Sequence, residues 1–270
     1  MNFIINISEV AIITGHNKFK TKRDFLIDFW KKNAKDDYEK FSSKTQFIKE
    51  NDIDIIKKIE KDNNIEILQD LKKCSLTRNT SSLNSIKKDI MKKVENLDET
   101  KKMEITKCIN NVTNTNFGIK NENDIAVLYN KLTGLTIVKD NKYKKVEIGQ
   151  FDDNISFYLG GKIDGLCMEN GSIIEIKNRV NKLFYELRDY EKVQLMCYLF
   201  IFKTQKGHLV EAFKKKDGTD INVIELDYDE SFMNCIKEKI LLFMNYFVQF
   251  MKNDNLKISV LSNNNEIDFC

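Results

Sequence analysis

The 270-residue sequence predicts an α/β fold, a central mixed β-sheet of about five strands flanked by helices, with a charged helical insertion near the N-terminus. Three observations predict it. Short β-branched runs separated by turn residues lie between residues 143 and 177. Longer apolar-periodic stretches surround them, and residues 33–110 are Lys-rich with isoleucines at helical spacing. Hydrophobic residues make up 41% of the chain, enough to bury a substantial core, so a single domain over residues 1–270 is expected.

The elements follow in order. Between Ser8 and Trp30, Val10 and Ile13 and then Phe25, Leu26 and Phe29 form two apolar patterns broken at Thr14-Gly15-His16-Asn17, which predicts a short helix, a turn and a second helix. In 33–110, Ile53, Ile56 and Ile59, then Ile86, Ile90 and Val94, are inward stripes, and Thr77 to Ser85 reads as a loop. Asn121 to Leu132 is a helix closed by Gly134. Tyr143–Ile148, Ile155–Ile163 and Ser172–Lys177 read as strands joined at Asp152-Asp153-Asn154 and Glu169-Asn170-Gly171. Val180–Phe202 reads as a long helix, His208–Phe213 and Val223–Leu226 as two strands, and Ser231–Met251 as a Phe- and Leu-rich helix. The tail carries a β-like run at Ile258–Leu261. Neither an internal repeat nor an interdomain linker is visible.

Composition narrows the function. No run of 18 apolar residues occurs, and Met1 to Val10 lacks the basic flank and small-residue cleavage pattern of a secretory signal, so a soluble intracellular protein without a membrane partner is expected. Six cysteines without a CxxC and two histidines, His16 and His208, argue against a zinc site or a disulfide framework. The net charge of +3 is uneven: residues 1–110 hold 23 Lys and Arg against 18 Asp and Glu, the rest 21 against 23. A basic lead-in before an acidic site would suit a passing polyanion, although a solvated helical face gives the same count. The absence of proline beside abundant Asn, Lys and Ile is the bias of an AT-rich genome.

The chemistry concentrates in Gly161-Lys162-Ile163-Asp164-Gly165 and Glu175-Ile176-Lys177. Strand alternation puts Glu175 and Lys177 on one face and Ile174 and Ile176 on the other. Asp164, ending the preceding strand across a tight hairpin, would join them. Two carboxylates so placed repel unless a cation lies between them, and Mg²⁺ or Mn²⁺ suits such a set. Such an ion stabilises charge on a scissile phosphate and activates a water that Lys177 can orient. An acid followed two residues later by Lys also occurs at Asp70/Lys72, Glu99/Lys101 and Asp140/Lys142, so the tripeptide alone carries nothing. Glu175-Ile176-Lys177 differs in ending a β-branched run, following an Asp-Gly turn and preceding a helix. The plain alternative is a hairpin with exposed charges.

These residues resemble the PD-(D/E)XK nuclease superfamily, in its lambda-exonuclease (YqaJ viral recombinase) and RecB-like branch. Gly118-Ile119-Lys120-Asn121-Glu122, with Ala126, Tyr129 and Thr133-Gly134, resembles the branch's Gly-x-x-x-Glu helix. Gly161–Gly165 resembles the segment with the metal-binding Asp, with Ile163 where the family has proline. Glu175-Ile176-Lys177 resembles (D/E)-x-K, and Gln194-Leu195-Met196-Cys197-Tyr198 the Gln-x-x-x-Tyr motif. Ile7-Ser8-Glu9-Val10-Ala11 with Thr14-Gly15-His16-Asn17-Lys18-Phe19 resembles the opening of YqaJ-type domains. The agreement runs from about residue 7 to 250, leaves 33–110 unmatched as an insertion, and makes 116–251 the catalytic core.

The resemblance implies a restriction-endonuclease-like core and a Mg²⁺- or Mn²⁺-dependent deoxyribonuclease. It implies catalytic Asp164, Glu175, Lys177 and Gln194, a metal held by Glu122, Asp164, Glu175 and the Ile176 carbonyl, and DNA contacts from Ser8 and Tyr198. An exonuclease on linear DNA is the leading expectation. An endonuclease with the same site and a silent nucleic-acid-binding module are the alternatives, with a helical scaffold whose strands are incidental as a further one. The four-cysteine pattern of the iron–sulfur members is missing, so no cluster is expected. The arginine that lambda exonuclease places before its signature serine has no counterpart, which leaves a 5′-phosphate preference open. Recombination, repair or degradation of foreign DNA would be the setting, in host cytoplasm or virion if the source is a large DNA virus. Ser231–Met251 offers an oligomer interface or, more simply, a cover for the sheet.

Overall fold

Two sheets carry the strands of the described residues. The computed structural model describes residues 1–77, 79–120, 122–139, 143–151, 155–263 and 266–269. It begins with β1 (Asn2–Asn6), α1 (Ile7–Ile13), α2 (Lys22–Asn33), α3 (Lys35–Thr45), α4 (Asp52–Asn63), α5 (Leu68–Leu76), α6 (Thr80–Lys93), α7 (Glu99–Lys120) and α8 (Glu122–Thr133). There follow β2 (Ile137–Val138), β3 (Lys144–Phe151), β4 (Ile155–Gly161), β5 (Gly165–Cys167) and β6 (Ile173–Arg179). The chain then runs through α9 (Asp189–Phe202), β7 (Lys206–Lys214), β8 (Thr219–Asp227), α10 (Glu230–Lys252) and α11 (Asp254–Ser262).

A mixed five-stranded sheet is present with the order β2-β5-β6-β7-β8, in which only β6 and β7 run parallel; of the expected strands it holds β6, β7 and β8, joined by the short β2 and β5. β3 and β4 instead pair in a second sheet, β1-β4-β3, where β1 runs parallel to β4. Strand β1 is not among the sequence-predicted elements. Its alternation is plain in the structure, with Phe3 and Ile5 buried and Asn2 exposed.

Several boundaries differ from expectation for physical reasons. The helix expected over Val180–Phe202 starts only at Asp189. The preceding segment is irregular because its amides are spent on a buried carboxylate, as described below. The β-like run Ile258–Leu261 lies in α11, which Asn253 caps by accepting from the Leu256 amide, and Val260 and Leu261 are buried there. Thr80–Ser85, expected as part of a loop, opens α6 under the Asn79 cap. Asp164 does not end the preceding strand: β4 stops at Gly161, and Asp164 directly precedes the three-residue strand β5, which makes the hairpin with β6. The expected turn Asp152-Asp153-Asn154 and the decoy pair Asp140/Lys142 lie outside the described residues, as do Asn121 and Cys270.

Among the described residues, three apolar clusters hold the structure. The largest joins the β1-β4-β3 sheet to α1, α2, α3, α9, α10 and α11 through stacked aromatics such as Phe3, Phe29, Phe157 and Phe247. α10 presents Phe243, Phe247 and Phe250 to this cluster, so its Phe-rich face covers the core. A second cluster lies within α4–α7, where Ile56, Ile59, Ile90 and Val94 turn inward with Ile86 packed against them as the stripes predict, whereas Ile55 rather than Ile53 joins them. Tyr38 and Phe41 of α3 belong to the largest cluster. The third fills the space between α8 and the five-stranded sheet with Ile125, Tyr129, Ile174, Ile176, Val210 and Ala212. Helix α9 lies between the two sheets, packing on β3 and β4 as well as β6, β7 and β8. That position explains why it is apolar nearly all round, as a helix without a solvent face must be.

Candidate active site

Strand β6 is buried on both faces, and its alternation divides the two kinds of side chain. Ile174 and Ile176 enter the α8 cluster, while Glu175, Lys177 and Arg179 face α9. Two of these polar groups, Glu175 and Lys177, close a ring with Gln194 of α9. The Lys177 Nζ donates to Glu175 Oε1 at 2.7 Å and to Gln194 Oε1 at 3.2 Å, and Gln194 Nε2 donates to the same Glu175 oxygen at 2.8 Å. Glu175 is only 5% exposed, so its charge needs these partners. Burial opposes the charge on Lys177, but Glu175 and then Asp164 more than offset it and hold the ammonium above its ordinary pKa.

Asp164 completes the group from the β5 side. Its Oδ2 accepts the Ile176 amide at 2.7 Å, because β5 pairs with β6 only at Ile173 and Ile174 and leaves the edge of Ile176 free. Burial and then the neighbouring charge of Glu175 push the Asp164 carboxyl up to about 7. The N–H and C=O of one strand residue project from the same edge, so the Ile176 carbonyl also faces the Asp164 side rather than the β7 ladder. Tyr198 follows Gln194 by one helical turn. It is 6% exposed and lies so close to Gly161 that a Cβ there would meet its ring at 2.9 Å and Ile7 at 3.1 Å. Burial and the Glu175 charge raise the Tyr198 hydroxyl above the usual phenol range.

Two further expected residues stand at the margin. Glu122 opens α8, pairs with Lys139 at 3.4 Å and is near enough for its charge to contribute to the raised pKa of Asp164. Ser8 is exposed in the first turn of α1, beside Ile7. Among the described residues, no three His, Cys, Asp or Glu side chains stand together closely enough to cage a metal ion by themselves. His16 hydrogen-bonds Thr14 at 2.9 Å in the turn after α1. His208 is tied to Tyr129 at 2.7 Å on the opposite face of the sheet.

Sequence reading missed a second polar group on the same face. Arg179, two residues beyond Lys177, bonds Glu191 of α9 through Nη1 at 2.6 Å and Nη2 at 3.1 Å, and Glu211 of β7 through Nε at 2.8 Å. All three are buried, and Glu211 is in register with Lys177. The local signals were an arginine continuing the Glu175/Lys177 alternation and a glutamate three residues before Gln194 on one helix face. Glu211, in an otherwise apolar strand, had no partner visible in sequence. The insertion reaches this sheet too, where Thr80 donates to the Lys214 carbonyl at the end of β7, and α7, which runs on past the insertion, offers the Phe117 carbonyl to Asn178 Nδ2 at 3.0 Å.

No protein-family model and no curated relative matches the chain. Solved structures match part of the fold. One is a phage-related exonuclease from Haemophilus somnus 129PT, at 12% identity and a TM-score of 0.40 over 52% of this chain and 72% of that one. Another is an alkaline exonuclease from Laribacter hongkongensis, also solved in complex with dAMP, at 13% identity and a TM-score of 0.38 over 70% of this chain and 93% of that one. A third, SSO0001, is 20% identical with a TM-score of 0.35 and is spanned over 64% of its length. Likeness at this level is partial. No helix among the described residues is long and apolar enough to cross a membrane.

Proposed function

We propose that the protein is a metal-dependent nuclease that hydrolyses phosphodiester bonds of DNA, acting on linear ends. The observation that carries this reading is the convergence of Asp164, Glu175, Lys177 and Gln194 around the open edge of β6. The donor set fits a hard divalent cation. It offers two carboxylates and a strand-edge carbonyl, with no thiolate or imidazole, and Mg²⁺ commonly takes one or two carboxylates and completes its shell with water and phosphate oxygens. The raised Asp164 carboxyl fits the same reading, since two acids share a dry site without a cation between them.

Asp164, Glu175 and the Ile176 carbonyl would hold Mg²⁺ or Mn²⁺, with Glu122 reaching in from α8. The ion would supply Lewis-acid stabilisation of the scissile phosphate and a lowered pKa for bound water. The chain's own groups do the positioning. Lys177 keeps its proton and orients the attacking water by donating to it. Gln194 fixes the Glu175 carboxylate and the Lys177 ammonium relative to each other. Tyr198 closes the site behind Gly161, and the exposed Ser8 hydroxyl is a donor for the DNA backbone. The preference for ends rests on the sequence resemblance to the lambda-exonuclease branch, for which recombination, repair or degradation of foreign DNA is the setting.

Incubating linear and closed-circular duplex DNA with Mg²⁺ or with EDTA tests the proposal, with the wild type beside Lys177→Ala. Loss of linear DNA alone, abolished by EDTA and by the substitution, is the expected result. Cutting of circles would make the enzyme an endonuclease, and intact DNA with metal-loaded wild type would leave a binding module.

A further inference from the structure

Four non-glycine residues among those described have positive φ: Gln46, Asn64, Tyr185 and Lys203. Gln46, Asn64 and Lys203 are helix C-caps, where the left-handed conformation is ordinary. Tyr185 is different. It lies at φ 59° in the segment between β6 and α9, and the residue is 70% exposed. A bulky aromatic in this region of backbone space is uncommon and persists only where its surroundings over-determine it.

The surroundings do so here. The fully buried Glu211 carboxylate accepts the Tyr185 amide at 3.0 Å and the Phe184 amide at 3.2 Å through Oε2, while its Oε1 accepts from Arg179. Phe184 packs against two guanidinium groups, Arg188 at 3.2 Å and Arg179 at 4.7 Å from its ring centroid. The chain is thereby gripped on the inside, and Tyr185 is turned outward. Glu211 is the register partner of Lys177, so the tyrosine backbone hangs from the strand position beside the catalytic lysine. The next residue, Glu186, lines a cavity of about 400 Å³ together with Lys18, Phe19, Arg188 and Tyr190.

We propose that Tyr185 is a base-stacking residue that positions an unpaired nucleobase of the DNA strand beside Lys177. The inference rests on the nuclease reading for the identity of the ligand. A backbone-anchored, exposed ring in a segment that also carries Arg188 matches the way single-stranded DNA is held, by stacking on aromatic faces and charge along the backbone. Arg188 and Lys18 line the neighbouring cavity together with the acids Glu186 and Asp189, while Tyr185 offers a π-face that accepts any base.

The backbone geometry supplies a clean test, because glycine adopts φ near +60° without strain and Tyr185→Gly should fold at least as well as the wild type. Affinity is read in EDTA from the fluorescence of a DNA oligonucleotide carrying 2-aminopurine in a single-stranded end, and cleavage of linear duplex is read separately with Mg²⁺. The expected result for Tyr185→Gly is an unchanged or higher melting temperature, a loss of affinity of about tenfold or more and loss of 2-aminopurine quenching, with Tyr185→Phe restoring both. Wild-type affinity and quenching in a folded Tyr185→Gly, or no rescue by phenylalanine, would overturn the inference and leave the nuclease reading intact if the wild type cuts. Tyr185-dependent binding by a wild type that does not cut would support the inference and defeat the nuclease reading. A wild type that neither binds nor cuts would defeat both.

Discussion

Strand β6 turns Ile174 and Ile176 toward α8 and Glu175, Lys177 and Arg179 toward α9, and the two sides are built on different principles. On the α8 side, Ile174, Ile176, Val210 and Ala212 pack against Ile125 and Tyr129, and the buried pair Tyr129 and His208 satisfies itself by a hydrogen bond. On the α9 side the strand buries charges, each fixed by a partner from another element. The α8 face gains from removing apolar area from water, whereas the α9 face sets desolvation against pairing and yields little net stability. What the α9 face provides is a fixed arrangement of groups. Neighbouring residues on one strand should therefore fail in different ways when changed.

The largest expected effect belongs to the polar face. Lys177→Ala should lower DNA cleavage by about 10²–10⁴-fold, while circular dichroism shows a folded protein. A folded variant retaining wild-type rates would remove Lys177 from the mechanism and with it the contrast between the faces. Next comes Glu211→Ala, which strips Arg179 of one partner and orphans the Phe184 and Tyr185 amides. A loss of about 3–5 kcal/mol in urea unfolding is expected, as for one member removed from a buried ion network. Glu211→Gln, which keeps an acceptor in place, should cost less. If the alanine variant loses under about 1 kcal/mol, the network is not what orders this face.

The contrast was legible where it depended on local periodicity. Residues 173–177 show it in five letters, because alternation on a strand needs no knowledge of the partner. Gln194 and Tyr198 were legible by their helical spacing, and α8, β7, β8 and α10 by pattern and caps. What escaped depended on contacts distant in sequence. Strand β1 is five residues long and gains its identity only from β4, about 150 residues later. Strand β5 is three residues long, too short to show a period, and its pairing is what moves Asp164 off the preceding strand. Arg179, Glu191 and Glu211 come from three elements, and no spacing rule links them. The false start of α9 at Val180 arose because residues 180–188 are locally compatible with helix, yet Glu211 claims two of their amides.

On the apolar face, Ile174→Ala should cost about 2–4 kcal/mol in urea unfolding while the folded fraction keeps its rate of DNA cleavage. Loss of activity without loss of stability would show that the α8 face also sets the geometry of the site. The smallest effect has the opposite sign, and it separates a face built for stability from one built for charge. Asp164 ionises at about 7 in the folded protein against an ordinary value of 3.8, raised by burial and by Glu175. Between those pH values the unfolded chain has released a proton that the folded one retains, so the group's contribution to stability is full below pH 4 and is lost as pH rises through 7. Asp164→Asn keeps an oxygen for the Ile176 amide and removes the charge. In EDTA at pH 8 it should therefore be more stable than the wild type by about 1–3 kcal/mol, with the gap closing toward pH 4. Mg²⁺ at pH 8 should stabilise the wild type and leave the asparagine variant nearly unmoved, because the cation relieves the same repulsion that the substitution abolishes. Paired melting curves at pH 4 and pH 8, with EDTA and with Mg²⁺, decide it: a variant less stable at pH 8 would mean that the carboxylates of this face are reconciled by the protein alone.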